Sequence, residues 1–569
     1  MKGIIEDVYD RKDKKIRADL EHLRKLFIMP DSADKFLEFG HELLDLIHNF
    51  FQEKGGIHSA ISLPELSKIF SNIDIPKFPH LLKDVLKEIK TKIINHSVKV
   101  GNPYYIGHMT SAIPYFMILL EMIIASLNQN QVKIETAKAS SFVERELLAW
   151  IHKLIFKRTS KFYKFNIQNY KISLGNITID GTIANLTAML VARNKAFPPD
   201  GSFPGVRKAG MSEALQHYNY RKAVIIVSKR GHYSIDKIAR IIGIGDNNVI
   251  KVPVDKYNKI NIDKLRHICN VIQEKNKKEK EKTKILSIIG IAGTTETGNI
   301  DNLIELRKIA DENNTTFHVD AAWGGAILLV NKYRKLLKGI ESADSVTFDA
   351  HKLLYSPLSM GMILFRNQKD LADLQHTANY IIRPDSVDQG RFTVEGSRPF
   401  ACLKPWATFK ILGIDGFRLL FEHAFSLTAL LDEFVKNHDN FEAACYPELF
   451  IYTYRFIPGS IKKVLDSLMK KIEESAHPIR YINKLKKCNY LLNDLNIHLH
   501  RSLRKEDNSF VSRTMLESTR YPSQKIVVLR AVTINPLTTS EILKEIIDEQ
   551  NRLGLNIYKS EFYCRFHRI

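Results

Sequence analysis

Cysteine is scarce in this chain of 569 residues, with five in all, at positions 269, 402, 445, 488 and 564. They lie far apart, odd in number and without a CxxC pair, which excludes a disulfide framework and a cysteine zinc site. No metal is expected, and a reducing, cytoplasmic setting suits the pattern. The opening MKGIIEDVYDRKDKKIRADL mixes both charges early and lacks an apolar stretch, so it does not read as a secretory signal. Long hydrophobic runs are missing too. The most apolar one, Tyr115 to Leu127, is too short to span a bilayer, contains Glu121, and reads as a buried helix. Internal repeats and low-complexity linkers are absent. Acidic side chains are outnumbered, 63 against 84 basic, for a net charge of +21 and a pI near 9.4. Such an excess suits nucleic acid, an anionic membrane or acidic small molecules. Here the basic residues are mostly lysine and spread along the chain, which reads as solvated surface, with no specific nucleic-acid partner.

What remains is globular. Apolar residues make up 44%, charged 26% and aromatic 9%, which excludes general disorder and collagen-like structure. The length implies two to four structural units. Up to about residue 95 the sequence looks helical, with Phe36, Phe39, Leu43, Ile47 and Phe50 at spacings of three and four on one face. Ser62 reads as the cap of a next helix with Pro64 in its first turn, and Pro76 and Pro79 break the segment. An arm this apolar must pack on its own body or on a partner subunit.

From about 130 to 365 short β-rich runs alternate with amphipathic helices. KAVIIVS (222–228), KILSIIGIAG (284–293), TTFHVDAA (315–322), SVTFDAH (345–351) and GMILF (361–365) are apolar almost throughout, as strands covered on both faces must be. The expected fold class is α/β with a mainly parallel central sheet flanked by helices, the last pair of strands being antiparallel. EKNKKEKEKTK (274–284) reads as a solvated helix end. A helix over 404–437 leads to a C-terminal unit with strands at 449–458 and 525–533 and a helix at Thr539–Arg552.

Lys352, in Asp349-Ala350-His351-Lys352, stands where a buried strand leaves the sheet. A lysine there is costly unless paired or used, and burial makes its amine a competent Schiff-base former; a merely exposed lysine is the alternative. Asp320, in HVDAAWGG, ends another such strand, where open α/β sheets place ligands. A pyridinium nitrogen needs such a carboxylate to stay protonated, and Asp320 with Lys352 is a pairing typical of pyridoxal-phosphate (PLP) enzymes; a helix cap is the alternative. Ala322 leaves room for one ring face. Gly181 and Thr182 open a helix whose free N–H groups suit a phosphate. His232, in Arg230-Gly231-His232-Tyr233-Ser234, is placed to stack on a flat cofactor or to serve the structure.

HVDAAWGG, SVTFDAHK, GHYS, GTIAN and AGTTETGNID together resemble, in order and spacing, the group II PLP-dependent amino-acid decarboxylases, over roughly residues 95 to 555. Within the group GNPYYIGHMTSAIPYF, LNQNQVKIETAKA, IIRPDS, EGSRP and LRAVTINPLTT look closest to the bacterial aspartate 1-decarboxylases. The resemblance implies a PLP-dependent transferase fold of the aspartate aminotransferase type I. It divides the chain into a helical dimer arm (1–100), a large PLP-binding domain (101–400), and a linking helix with a small α/β C-terminal domain (401–569). Lys352 would be the lysine that binds the cofactor, Asp320 would hold the ring nitrogen, and His232 and Ala322 would flank the ring. Gly181, Thr182 and His351 would help hold the phosphate, where Asp180 replaces a glycine of the usual pattern. Arg530 would bind a substrate carboxylate, and His108 stands where glutamate decarboxylases carry glutamine. Residues Ala378–Asp388 would form a mobile catalytic loop with Tyr380 as the proton donor. The implied reaction is α-decarboxylation of an acidic amino acid, aspartate ahead of glutamate or cysteine sulfinate, in a homodimer with shared active sites. A PLP aldehyde lyase, an aminotransferase and a non-enzymatic polyanion-binding protein are the rival readings.

Overall fold

A computed structural model describes residues 24, 26–28, 30, 34–53, 55–59, 61–376 and 386–568. The chain divides into two compact units, Met1–Lys99 and Val100–Ile569.

In the first unit the described helices are α1 (Phe36–Gln52), α2 (Leu63–Ile69) and α3 (Leu82–Glu88). Ser62 caps α2 as expected. Its hydroxyl accepts from the Glu65 amide at 3.3 Å, and the Glu65 carboxylate accepts from the Ser62 amide at 3.1 Å, with proline in the first turn. Pro76 and Pro79 lie in the break between α2 and α3. The apolar face of α1 is only partly covered: Phe39, Ile47 and Phe50 are half-buried, whereas Phe36 and Leu43 are exposed.

The second unit is built around a seven-stranded sheet in the order β1-β7-β6-β5-β4-β2-β3. The strands are β1 (Gly175–Thr178), β2 (Tyr220–Ser228), β3 (Val249–Val252), β4 (Lys282–Ile291), β5 (Thr316–Asp320), β6 (Ser345–Asp349) and β7 (Gly361–Phe365). Strands β3, β2, β4, β5 and β6 run parallel, and β7 is antiparallel to β6 and β1. The mainly parallel sheet with an antiparallel final pair is therefore present. Alternation sends Val224, Ile226 and Ile288 into the core shared with helix α5 (Ala139–Phe156). Ile225, Val227 and Ile289 enter the core shared with helix α6 (Gly181–Ala196). Both faces are covered, which is why these strands read as continuous apolar runs.

The run Tyr115–Leu127 does form a helix, α4, but the expectation that it is buried fails: Met117 is 0% exposed and Tyr115 77%. The body covers one stripe only, through Met117 and Ile124, and leaves Leu119, Met122, Ile123 and Leu127 open.

Helix α7 (Leu403–Asn437) leads to a second, antiparallel sheet in the order β10-β11-β9-β8. Its strands are β8 (Phe441–Ala443), β9 (Ile451–Phe456), β10 (Ser512–Glu517) and β11 (Lys525–Val532). Helices α8 (Gly459–Glu474), α9 (Ile479–Glu506) and α10 (Ser540–Ile557, capped by Thr539) complete this part. Among the described residues no helix is long and apolar enough to cross a membrane, and no cluster of His, Cys, Asp and Glu could hold a metal.

Candidate active site

The carboxyl ends of the parallel strands deliver the predicted residues to one place. Asp320 is the last residue of β5 and Asp349 the last of β6. After Asp349 the chain turns at once into a short helix, Ala350–Leu353, so Lys352 sits on a helical turn rather than on the strand itself. That turn stacks Lys352 over Asp349, with Nζ 2.9 Å from Oδ2. The half-buried lysine is thus paired. His351 lies on the other flank, its Nε2 3.6 Å from the same carboxylate oxygen and its Nδ1 2.8 Å from the Met360 carbonyl.

Helix α6 begins at Gly181, with Asp180 as its cap residue. Asp180 explains its own departure from glycine: its Oδ1 accepts from the Ile183 amide at 3.0 Å and caps the helix. The amides of Gly181 and Thr182, in the first turn, have no intrahelical acceptor. A Cβ on Gly181 would lie 2.9 Å from Asp349 Oδ2 and 3.3 Å from the Ala322 methyl. Any side chain there would fill the space between Asp349 and Ala322. Asp349 Oδ1, also bordering Gly181, is buried without a hydrogen-bond partner among the described residues.

Asp320 is 7% exposed and doubly supported. Its Oδ1 accepts from the Ala322 amide at 3.2 Å and its Oδ2 from the Asn185 side-chain amide at 2.9 Å. His232 is half-buried, its Nδ1 2.8 Å from the Ser234 hydroxyl. Burial lowers its pKa, partly opposed by Asp320, and it also feels Lys352, Asp349 and Asp180. His232 therefore lies within electrostatic reach of the lysine and the carboxylates.

A second group borders Lys352. Burial lowers the pKa of His108, and Arg530 and then Lys352 push it the same way. Its Nδ1 is 2.8 Å from the Thr110 hydroxyl. Arg530, on β11, is buried, which lowers its pKa to about 10, and the Glu296 carboxylate opposes that fall. Arg530 Nε donates to the Thr295 carbonyl at 2.8 Å, and Nη1 to the Gly107 carbonyl at 3.2 Å and the Ser512 hydroxyl at 3.3 Å. Gly107 must be glycine, because a Cβ there would meet the Phe510 ring at 2.4 Å and the Ser512 amide at 2.7 Å. Glu296 is itself held by Arg230, at 3.2 Å.

Lys352, Asp320, Ala322, Gly181, Thr182, His351, His232, His108 and Arg530 thus occupy one region of the second unit. Tyr380 and most of Ala378–Asp388 lie outside the described residues. The motifs contain Asn185, His318, Asp349 and Glu296 without giving them a task, and Thr347 has none either. Period alone links several: 318 with 320 on β5, and 345, 347 and 349 on β6, each set on one face of its strand.

Comparison with known families matches residues 64–456 to the pyridoxal-dependent decarboxylase conserved domain. The chain belongs to this family. An aspartate 1-decarboxylase of Aliivibrio fischeri is 38% identical over 95% of this chain and 96% of its own. A cysteine sulfinic acid decarboxylase of Mus musculus is 29% identical over 70% of this chain and 76% of its own. In fold, the crystal structure of mouse CSAD matches with a TM-score of 0.75 at 23% identity, over 91% of this chain and 99% of that one. The structure of Oryza sativa TDC with PLP and tryptamine matches at 0.76 and 16% identity, over 93% and 99%. The pyridoxal-dependent decarboxylase fold seen here is the type I PLP fold, the cofactor is PLP, and the chemistry is amino-acid decarboxylation. The residues fit that cofactor. An amine, a buried supported carboxylate and the glycine-opened N-terminus of a helix lie in one region, groups suited in kind to its aldehyde, ring nitrogen and phosphate.

Proposed function

We propose that this decarboxylase converts L-aspartate to β-alanine and CO₂ as a cytoplasmic homodimer. Arg530 carries the substrate reading: it is a guanidinium with a pKa of about 10, cationic at neutral pH, in the neighbourhood of His108 and Lys352. An acidic substrate needs a fixed cation, and a guanidinium can hold a carboxylate through two N–H bonds. The bonds of Nε and Nη1 to Thr295, Gly107 and Ser512 fix its plane, and Nη2 is left over among the described residues. Near full-length identity of 38% to an aspartate 1-decarboxylase supports aspartate over glutamate.

Bound PLP supplies an electron sink for the pair left when the α-carboxylate departs. Lys352 Nζ is the amine that anchors the cofactor, drawn from its ion pair with Asp349. Asp320 would hold the ring nitrogen, and His232 and Ala322 would flank the ring. Gly181, Thr182 and His351 receive the phosphate. Tyr380 would return a proton to the α-carbon. The exposed apolar residues Tyr115, Leu119, Met122 and Ile123 on α4, with Ile411 and Ile414 on α7, support a two-fold interface.

The test offers aspartate, glutamate, cysteine sulfinate and tyrosine separately to PLP-loaded protein and identifies the products. β-Alanine from aspartate is expected. 4-Aminobutyrate from glutamate alone would overturn the substrate reading, and an aldehyde or keto acid without CO₂ would point to lyase or transaminase chemistry. Sedimentation checks the dimer, which Ile123→Glu should dissociate; unchanged sedimentation would move the interface elsewhere.

A further inference from the structure

Asp320 stands at the end of a chain of donors that all point one way. A carboxylate oxygen accepts, so the Asn185 contact at 2.9 Å is Nδ2–H donating to Oδ2. Asn185 Oδ1 is thereby the acceptor. It receives the Thr347 hydroxyl at 2.6 Å and His318 Nε2 at 2.9 Å. The Nε2 of His318 must then carry hydrogen. Burial lowers the pKa of this imidazole to about 4, so it is neutral and its Nδ1 is bare. That Nδ1 lies 2.8 Å from the Ser345 hydroxyl, which donates to it. Every member is buried. The sheet builds the arrangement directly, because the parallel register pairs His318 with Ser345 and Asp320 with Thr347. Asn185 reaches them one helical turn after Gly181.

We propose that Asn185, with Thr347 and His318 behind it, is a positioning relay that holds the Asp320 carboxylate turned toward the cofactor ring nitrogen. This inference rests on the reading of Asp320 given above. A carboxylate that already accepts one donor on each oxygen is held in one orientation and has its charge stabilised before a ring N–H arrives. None of the relay members is ionic, so the support adds no competing charge beside the ring. The order along the chain is itself informative: influence should fall from Asn185 to Thr347 and His318, and be least at Ser345.

The test reads the protonation of the ring nitrogen by NMR, using PLP isotopically labelled at that atom, together with cofactor affinity and the melting temperature of cofactor-free protein. Asn185→Leu should move the ring signal toward the unprotonated position and weaken cofactor binding by about tenfold, as expected for a lost hydrogen bond to a charged group. Thr347→Val, which removes one donor at nearly constant shape, should move the signal less, and Ser345→Ala least. Asp320→Asn is the control for the underlying reading. If Asp320→Asn leaves the ring signal in place, the assignment of Asp320 is wrong. If Asp320→Asn moves it but Asn185→Leu lowers only the melting temperature, the network is structural and the relay is overturned. Should Asn185→Leu fail to fold, Thr347→Val decides: a signal identical to that of the unaltered protein sinks the proposal.

Discussion

On the cofactor side of the site, Asp320, Asn185, His318, Thr347 and Lys352 come from two neighbouring parallel strands, the turn after one of them, and the helix that covers them. On the substrate side, Gly107–His108, Thr295–Glu296 and Arg530 come from segments scattered along the chain and joined through bonds to one guanidinium. The first group is set by sheet register and, apart from the half-buried Lys352, is buried. The second is joined largely through Arg530, and its His108 is partly open to solvent. On the proposed function, one-methylene differences in substrate would fall to the second half and the chemistry to the first.

This contrast can be broken by substitution. Lys352→Ala should lower decarboxylation by about 10⁴-fold or more and abolish the near-visible absorbance of bound cofactor. Retained absorbance would move the anchoring lysine elsewhere. Asp320→Asn should cost about 10² to 10³ in kcat while substrate KM stays close to its original value, as expected for lost charge stabilisation on the cofactor side. A loss confined to KM would erase the division between the two halves. His108→Gln should change the ratio of kcat/KM for aspartate and glutamate by about tenfold, the scale of one-methylene discrimination, and leave cofactor affinity alone.

The smallest effect concerns stability. His318, behind Asp320, and His152, against Tyr163 and the Phe365 carbonyl, both have pKa values lowered by burial to about 4, from an ordinary 6.5. Because the unfolded chain takes up these protons first, their contribution is complete above about pH 6.5 and is lost as pH falls toward 4. The thermal midpoint should drop across that window, and less steeply in His152→Gln. Equal slopes would mean that His152 takes up a proton in the folded state.

The sequence made the cofactor side legible for a physical reason. Strands buried on both faces announce themselves as apolar runs, and the polar residue that ends each run is conspicuous; Asp320 and Lys352 were found in this way. Their supports were harder to see. Asn185, His318 and Thr347 are ordinary in type, and only register between β5 and β6 brings them together. The α4 helix misled because an apolar run does not say whether its own body or a second chain covers it. Helix α9 is the opposite case: Leu485, Cys488, Leu492, Leu495, Leu499 and Leu503 repeat at helical spacing, a signal the sequence reading left unused. Arg530 could be assigned only through family resemblance, since nothing local marks an arginine on an apolar strand as a carboxylate ligand.

Arg530→Gln tests the central claim most directly, with PLP affinity and kcat/KM for aspartate measured on the same preparation. The account predicts unchanged cofactor affinity and absorbance with kcat/KM for aspartate reduced about 10²-fold, the scale of a lost charged hydrogen-bond pair. A parallel fall in cofactor affinity, or undiminished turnover of aspartate, would contradict the assignment of Arg530 to the substrate and with it the division of the site into two halves.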